Sequence, residues 1–309
     1  MKKITILIPC YNEQEVLPKL FPRLDKLIKS QNRFDWELLF VNDGSRDQTF
    51  EKIKKYAEQN KAVSYINLAR NFGKEIAMAA GIDNVKADAL IIIDADLQDP
   101  PELIPDMIKI WLEGYDDVYA RRRSRAGESF LKKFTSSMYY KVLQKSTRIP
   151  IQQDTGDFRL LDKKCIKALQ SIQETNRSTK ALFSWIGYKK KEILYDRDPR
   201  AAGQTKWNYV KLVGLAIDGI VSFTTAPLRV ATFVGFLVAL FAFIYLIVVF
   251  IKTMVLGIDE PGYPSLMIVI LFLGGIQLIT IGIIGEYIGR IFVETKNRPL
   301  YLIESKKLK

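Results

Sequence analysis

Residues 231–251 form an uncharged, apolar run, and residues 265–285 form a second, with Gln277 its main polar interruption. Each is close to the roughly 20 residues that an α-helix needs to cross the hydrocarbon core of a bilayer. One such run would suit a buried helix of a soluble protein; two in the last quarter of a 309-residue chain point to a membrane hairpin. That hairpin is expected over 227–290, and any water-soluble domain is built from what precedes it. The intervening loop carries Lys252, Asp259 and Glu260, whereas the end of the chain carries Arg290, Lys296, Arg298, Lys306, Lys307 and Lys309. Cytoplasmic flanks are rich in Lys and Arg, so the basic tail (291–309), the N-terminal domain and both termini are expected on the cytoplasmic side of the inner membrane. Met1–Lys3 leads into only a short run, Ile4–Ile8, which reads as a first strand and not as a cleavable signal.

Up to about residue 125, short β-branched or apolar runs alternate with helical spacing. The runs are Ile4–Ile8, Glu37–Val41, Val63–Leu68, Ala89–Ile93 and Asp117–Ala120. The helices are expected over 13–30, 47–60, 74–85 and 101–113. Such alternation implies an α/β domain with a mainly parallel sheet and helices on both faces. Residues 126–206 are more polar and basic and close the domain (1–206). Residues 207–223 place Trp207, Val210, Leu212, Val213 and Ile217 against Asn208, Lys211 and Asp218. This pattern suits an amphipathic helix in the membrane interface (207–226) before Pro227 breaks the chain; an ordinary core helix is the alternative.

Composition removes several chemistries. The chain has no histidine, which excludes His-based acid–base catalysis, Ser-His-Asp triads and His metal sites. Two isolated cysteines, Cys10 and Cys165, make neither a zinc cluster nor a disulfide framework and fit a reducing compartment. A net charge of +12 suits an anionic membrane surface, a phosphorylated substrate or nucleic acid. Nucleic acid is the weakest of these, because aromatics do not interleave with the basic run. There is neither a G-x-G-x-x-G loop nor a G-x-x-x-x-G-K-[ST] loop, so a nucleotide must be held by other means.

The fourth strand-like run ends in Asp94-Ala95-Asp96, followed by Leu97-Gln98-Asp99-Pro100-Pro101. In open α/β sheets ligands lie beyond the carboxyl ends of the strands. Two carboxylates there suit Mg²⁺ or Mn²⁺, hard cations held by one or two carboxylates together with substrate phosphates. An Asp pair after a strand also serves as a turn or helix cap, as do Asn12-Glu13 and Asp43-Gly44-Ser45.

Four patches, each at a strand end, occur in order: Ile8-Pro9-Cys10-Tyr11-Asn12-Glu13, Val41-Asn42-Asp43-Gly44-Ser45, Arg70-Asn71-Phe72-Gly73-Lys74 and Asp94-Ala95-Asp96-Leu97-Gln98-Asp99-Pro100-Pro101. With them the chain resembles the family-2, GT-A-fold polyisoprenyl-phosphate glycosyltransferases. These are relatives of dolichol-phosphate-mannose synthase, and the nearest likeness is to the bacterial bactoprenol glucosyltransferases (GtrB). The likeness runs over essentially the whole chain, including both apolar runs; Asn42 stands where the family often has Asp. The fold implied is a GT-A (Rossmann-like) nucleotide-sugar-binding domain, an interfacial amphipathic helix and two transmembrane helices. The resemblance implies that Pro9, Tyr11, Asn12, Glu13, Asp43, Lys74, Asp94 and Ala95 hold the nucleotide sugar. It also implies that Asp94, Asp96 and Gln98 form the metal site.

On the acceptor side, Arg121-Arg122-Arg123-Ser124-Arg125 is a dense cationic cluster, followed by Lys132-Lys133 and Ser136-Ser137. A charge run is commonly a solvated face, yet Arg suits bidentate phosphate binding. The resemblance places the lipid phosphate on Arg122, Lys132 and Ser136. It assigns catalytic positions to Arg200 and Lys206, in a mobile loop, and to Asp157, which orients a sugar hydroxyl or the acceptor or else caps a turn. The activity implied is inverting, metal-dependent transfer of a sugar from a UDP-sugar to a polyprenyl phosphate, feeding cell-surface glycan modification. UDP-glucose ranks first, UDP-N-acetylglucosamine second and GDP-mannose third; undecaprenyl phosphate is the acceptor. Expected partners are the donor, the acceptor and the lipid bilayer, with a homo-oligomer and a downstream glycosyltransferase compatible with the reading. A separate flippase is also expected, since two spans make a poor conduit. A processive polysaccharide synthase usually needs more spans and a Q-x-x-R-W motif, which this chain lacks. A membrane-anchored nucleotide-sugar-binding protein without transferase activity is the alternative from another class.

Overall fold

The computed structural model describes residues 1–123, 155–175, 177–196, 221, 224–256 and 262–309. Lys132, Ser136, Arg200 and Lys206 lie outside the described residues, as does most of the expected interfacial helix. The described chain divides into two compact units.

The first unit is an α/β domain whose described strands form one sheet, in the spatial order Lys190–Tyr195, Asp117–Arg122, Thr155–Asp162, Ala89–Ile92, Lys3–Cys10, Asp35–Asn42, Val63–Leu68 and Ile303–Lys307. Its centre comprises β1 (Lys3–Cys10), β2 (Asp35–Asn42), β3 (Val63–Leu68) and β4 (Ala89–Ile92). These four run parallel, so their carboxyl ends share one edge. Helices α1 (Leu17–Ser30), α2 (Thr49–Gln59), α3 (Lys74–Asn84) and α4 (Ile104–Leu112) connect and follow them. Alternate side chains of a strand point to opposite faces, and β1 shows both destinations. Ile4, Ile6 and Ile8 pack with Leu17, Leu20, Leu24, Ile104 and Trp111. Leu7 packs on the other face with Leu39, Met78 and Ile82. Gly81 permits that second contact, since a Cβ there would lie 2.2 Å from a Leu7 methyl group.

The sheet is less parallel than the alternating pattern implies. β6 (Thr155–Asp162) inserts antiparallel between β4 and β5 (Asp117–Arg122), and β7 (Lys190–Tyr195) runs parallel to β5. Helices α5 (Lys163–Gln170) and α6 (Thr179–Trp185) lie between β6 and β7 in sequence. Beneath this half of the sheet Arg159 and Asp117 pair at 3.1 Å, fully buried, with the guanidinium 3.8 Å from the centre of the Phe183 ring.

Two boundaries differ from expectation for identifiable reasons. Helix α1 starts at Leu17 and not at Glu13; the Glu13 carbonyl accepts from Val16 N–H and Leu17 N–H in a turn that leads into the helix. Glu13 N–H donates to Thr49 Oγ1 and Gln14 N–H to Asp47 Oδ2, tying this loop to the start of α2. The expected basic tail, 291–309, takes up regular structure over part of its length. It begins inside a helix that ends at Thr295, and Ile303–Lys307 is β8, antiparallel to β3. Residues 298–309 therefore belong to the first unit. Lys309 N–H donates to Ser64 Oγ, and Ser64 Oγ donates in turn to the buried Glu37.

The second unit contains α7 (Ala226–Leu256) and α8 (Tyr263–Thr295). Within them, Ala226–Val249 and Val269–Thr295 are long and apolar enough to cross a membrane. Phe233, Phe236, Phe241, Leu271, Phe272 and Leu278 are exposed along these helices. Tyr287 Oη donates to the Thr224 carbonyl at 2.7 Å at the base of the pair.

Candidate active site

A cleft of about 220 Å³ opens at the carboxyl ends of β1, β2 and β4. Pro9, Tyr11, Glu13, Asp43, Lys74, Asp94, Ala95 and Asp96 all line it, together with Cys10, Asn71, Gly73 and Ala77. The four separated sequence patches thus meet at one place, because parallel strands deliver their carboxyl ends to the same edge.

Lys74 sits at the centre of its charges. Its Nζ donates to Asp94 Oδ2 at 2.8 Å and to Asp157 Oδ2 at 2.6 Å. Burial alone would pull the ammonium pKa down; Asp94 and then Asp157 outweigh it and hold Lys74 above the ordinary lysine value. Burial likewise opposes ionisation of Asp157, but Lys74, with help from Lys180, keeps its carboxyl below the ordinary range. Asp157 Oδ1 is buried without a hydrogen-bond partner among the described residues. Asp157 reaches this position because β6 lies beside β4.

The loop walls are held by backbone hydrogen bonds. Asp43 accepts from Phe72 N–H at 2.7 Å and Gly73 N–H at 2.9 Å, which fixes the turn that presents Lys74. Burial raises the Asp43 pKa, and these two N–H groups oppose that rise. Gly44 has φ +61°, and a Cβ there would lie 2.3 Å from the Arg70 backbone, so this turn accepts no side chain. In the acidic loop Leu97 has φ +61°, a strained conformation for a bulky residue, while its side chain is buried in the core.

Some expected residues are placed differently. Asn12 does not line the cleft; its Oδ1 accepts from Arg46 N–H at 2.9 Å and its backbone has φ +56°. Gln98 does not line it either; it is buried, and its N–H donates to Asp96 Oδ1 at 3.1 Å. Asn42 is buried below the cleft and is bonded to Asn67 and Ser45. Arg122, at the end of β5, is not part of the cleft wall. Its neighbour across the β5–β7 pairing is Tyr195, whose hydroxyl donates to Asp99 at 2.5 Å. Asn71 and Gly73 were legible as part of a motif, whereas Tyr195 and Lys180 carry no sequence signal and are found only through the sheet.

Asp94 and Asp96 are suited to a divalent cation. Among the described residues no group of three or more His, Cys, Asp or Glu side chains is arranged around a metal position. Two carboxylates on a cleft match Mg²⁺ or Mn²⁺ completed by water and diphosphate oxygens, not a closed protein cage.

Comparison with known proteins identifies the family. Residues 5–170 match the family described as Glycosyl transferase family 2, and residues 226–291 match the GtrB C-terminal hairpin. An uncharacterized glycosyltransferase of Synechocystis sp. is 50% identical over 301 residues, covering 97% of this chain and 94% of that protein. A bactoprenol glucosyl transferase of Shigella phage SfX is 43% identical over 305 residues, covering 99% of this chain and 100% of that protein. Among solved structures, a mycobacterial protein shares the fold with a TM-score of 0.51 at 16% identity, covering 71% of this chain and 73% of that one. A GT-A-like sheet, a carboxylate-lined cleft at its carboxyl edge and full-length similarity to these glycosyltransferases make this chain a member of glycosyl transferase family 2.

Proposed function

We propose that the protein transfers glucose from UDP-glucose to a polyprenyl phosphate, undecaprenyl phosphate first among them, at the cytoplasmic face of the inner membrane. One observation carries this reading: the carboxylates, the aromatic ring and the lysine expected to hold a nucleotide sugar line a single cleft. The name of the phage relative, bactoprenol glucosyl transferase, supports the sugar and the lipid. Two long apolar helices support an acceptor that resides in a bilayer.

In this mechanism Tyr11, a residue 42% exposed, stacks its ring on the base, and Pro9, Glu13 and Asp43 frame the nucleoside. Asp157, held ionised by Lys74, offers its unpartnered Oδ1 to a sugar hydroxyl and so orients the ring. An oxygen of the lipid phosphate forms the new bond to the anomeric carbon as the bond from that carbon to the diphosphate breaks. The bonding electrons leave with the nucleoside diphosphate, and the configuration inverts. A phosphate monoester has its second pKa at about 6 and is largely ionised at neutral pH, so no general base is required. This fits a chain without histidine. Asp94 and Asp96 would hold Mg²⁺ or Mn²⁺, which when bound neutralises charge on the departing diphosphate. Arg122, with Lys132 and Ser136, is assigned to the acceptor phosphate, and Arg200 and Lys206 to the phosphates during transfer. Catalysis then rests on positioning and charge neutralisation.

The test is transfer of radiolabelled sugar from UDP-glucose, UDP-N-acetylglucosamine and GDP-mannose into undecaprenyl phosphate by purified protein, with and without EDTA. Metal-dependent label in the lipid phase from UDP-glucose is expected. Label from another donor alone would replace the sugar assignment, and no label from any donor would contradict the reading.

A further inference from the structure

The wall of the cleft around Tyr11 and Glu13 is connected to the last strand of the chain by an unbroken series of hydrogen bonds. Asn12 N–H donates to Ser45 Oγ at 3.0 Å, and Ser45 Oγ donates to Asn42 Oδ1 at 2.6 Å. Asn42 Nδ2 donates to Asn67 Oδ1 at 2.7 Å, and Asn67 Nδ2 donates to the Glu304 carboxylate at 2.7 Å. Every donor points the same way, from the loop after β1, through the ends of β2 and β3, to a negative charge on β8. Aligned hydrogen bonds polarise one another, and a terminal carboxylate strengthens the bond it accepts.

Three features give the series a task beyond filling space. First, its two amides, Asn42 and Asn67, are buried at 2% and 6% exposure, so water does not readily replace a missing partner. Second, it ends on Asn12, which sits at φ +56° between the two cleft residues Tyr11 and Glu13. Asparagine tolerates this left-handed conformation, and here two hydrogen bonds fix it, one from Arg46 N–H to its Oδ1 and one from its own N–H to Ser45 Oγ. Third, the amide at position 42 accepts from Ser45 and donates to Asn67 at the same time, which a carboxylate of the same shape cannot do. A carboxylate there has no proton to donate, and it would face the Asn67 carbonyl oxygen.

We infer that Asn42, Asn67 and Glu304 are positioning residues for the nucleotide-sugar donor. In this reading the C-terminal strand, reached directly after the apolar helix α8, sets the geometry of the Tyr11–Glu13 wall. The inference rests on the donor-cleft reading above.

Two measurements on the full-length purified protein test it. The first is amide hydrogen exchange over residues 10–14, which needs no ligand. Glu304→Ala is expected to speed exchange at Asn12, and Glu304→Gln, which keeps an acceptor oxygen, is expected to restore wild-type protection. The second is the affinity for UDP with Mn²⁺. Glu304→Ala and Asn42→Asp are expected to weaken it about three- to tenfold, the range of one lost hydrogen bond, while Glu304→Gln stays near wild type. Lys307→Ala serves as the control, because it loosens a different β8 contact, that of Lys307 Nζ with the Ala57 carbonyl. It is expected to leave UDP affinity unchanged. Unaltered exchange in Glu304→Ala, or equal loss of UDP affinity in Lys307→Ala and Glu304→Ala, would overturn the positioning role. Failure of the wild type to bind UDP, with the exchange effect present, would instead overturn the donor reading.

Discussion

Lys74 is the residue on which the charge balance of the cleft turns. Asp94 and Asp157 both lie within 2.8 Å of its ammonium, and Asp157 is nearly buried. Lys74→Met leaves two carboxylates facing each other without the cation, which costs more than the pair itself is worth because one charge stays buried. Transfer should fall at least about a hundredfold in kcat/KM, of the order seen when one electrostatic group is removed from a preorganised site. A variant within about threefold of wild type would remove Lys74 from the account. The same pair predicts the pH profile. The Lys74 pKa is raised, so its charge is complete below the ordinary lysine value and is lost only as pH climbs through the higher folded value. The Asp157 pKa is lowered, so its charge is complete above the ordinary carboxylate value and is lost only in stronger acid. Neither limits transfer between about pH 5 and 9. The rate is therefore expected to rise through about pH 6 as the acceptor phosphate ionises, with no basic limb below about pH 9. A fall between pH 7 and 9 in the measured profile would contradict this assignment. Gly44→Ala combines a positive φ with a clash against the Arg70 backbone and should destabilise the protein by about 3 kcal/mol, read as a lower thermal midpoint. An unchanged midpoint would mean that the turn adapts. At this scale the sequence marked Tyr11, Glu13, Asp43, Asp94 and Asp96 through their place at strand ends. It did not separate them from Asn12 and Gln98, because identical side chains serve a cleft or a turn depending on which backbone N–H groups lie nearby.

The elements that escaped sequence reading are those whose partners are remote. β6 has both faces covered, so Phe158, Arg159, Leu160 and Leu161 are all buried and the period-2 signature disappears. Its Arg159 looks like a solvated charge until Asp117, 42 residues away, is placed beside it. β8 is rich in lysine, as edge strands often are, and for that reason resembles a basic tail. Its attachment is specific: Lys309 Nζ reaches Asp35, Lys306 reaches Asn84 and Tyr301 reaches Asp83. Deletion of residues 302–309 uncovers the edge of β3 and removes one hydrogen-bond partner each from Ser64 and Asn67. We expect a fall of at least about 5 °C in the thermal midpoint and concentration-dependent aggregation. A deletion protein as stable and monodisperse as the parent would show that β8 is an appendage of the sheet. The parallel centre, by contrast, was legible throughout, since β1–β4 and α1–α4 each follow local periodicity and short connections.

For the whole molecule, a catalytic sheet and an apolar helical hairpin divide the work by composition. The hairpin was evident from two uncharged runs because crossing a bilayer requires length and apolarity and little else. The return of the chain from the hairpin into the sheet was not evident, since no local rule announces a pairing between β3 and a strand more than 200 residues later. In the proposed function the sheet's carboxyl edge binds a nucleoside diphosphate through a cation held by Asp94 and Asp96. Calorimetric titration of UDP into the full-length protein tests it most directly, with Mn²⁺ or with EDTA, in wild type and Asp96→Ala. Mn²⁺ is expected to tighten UDP binding to wild type by at least about tenfold, and Asp96→Ala to abolish the difference. Equal affinity with and without the metal, or an undiminished metal effect in Asp96→Ala, would contradict it.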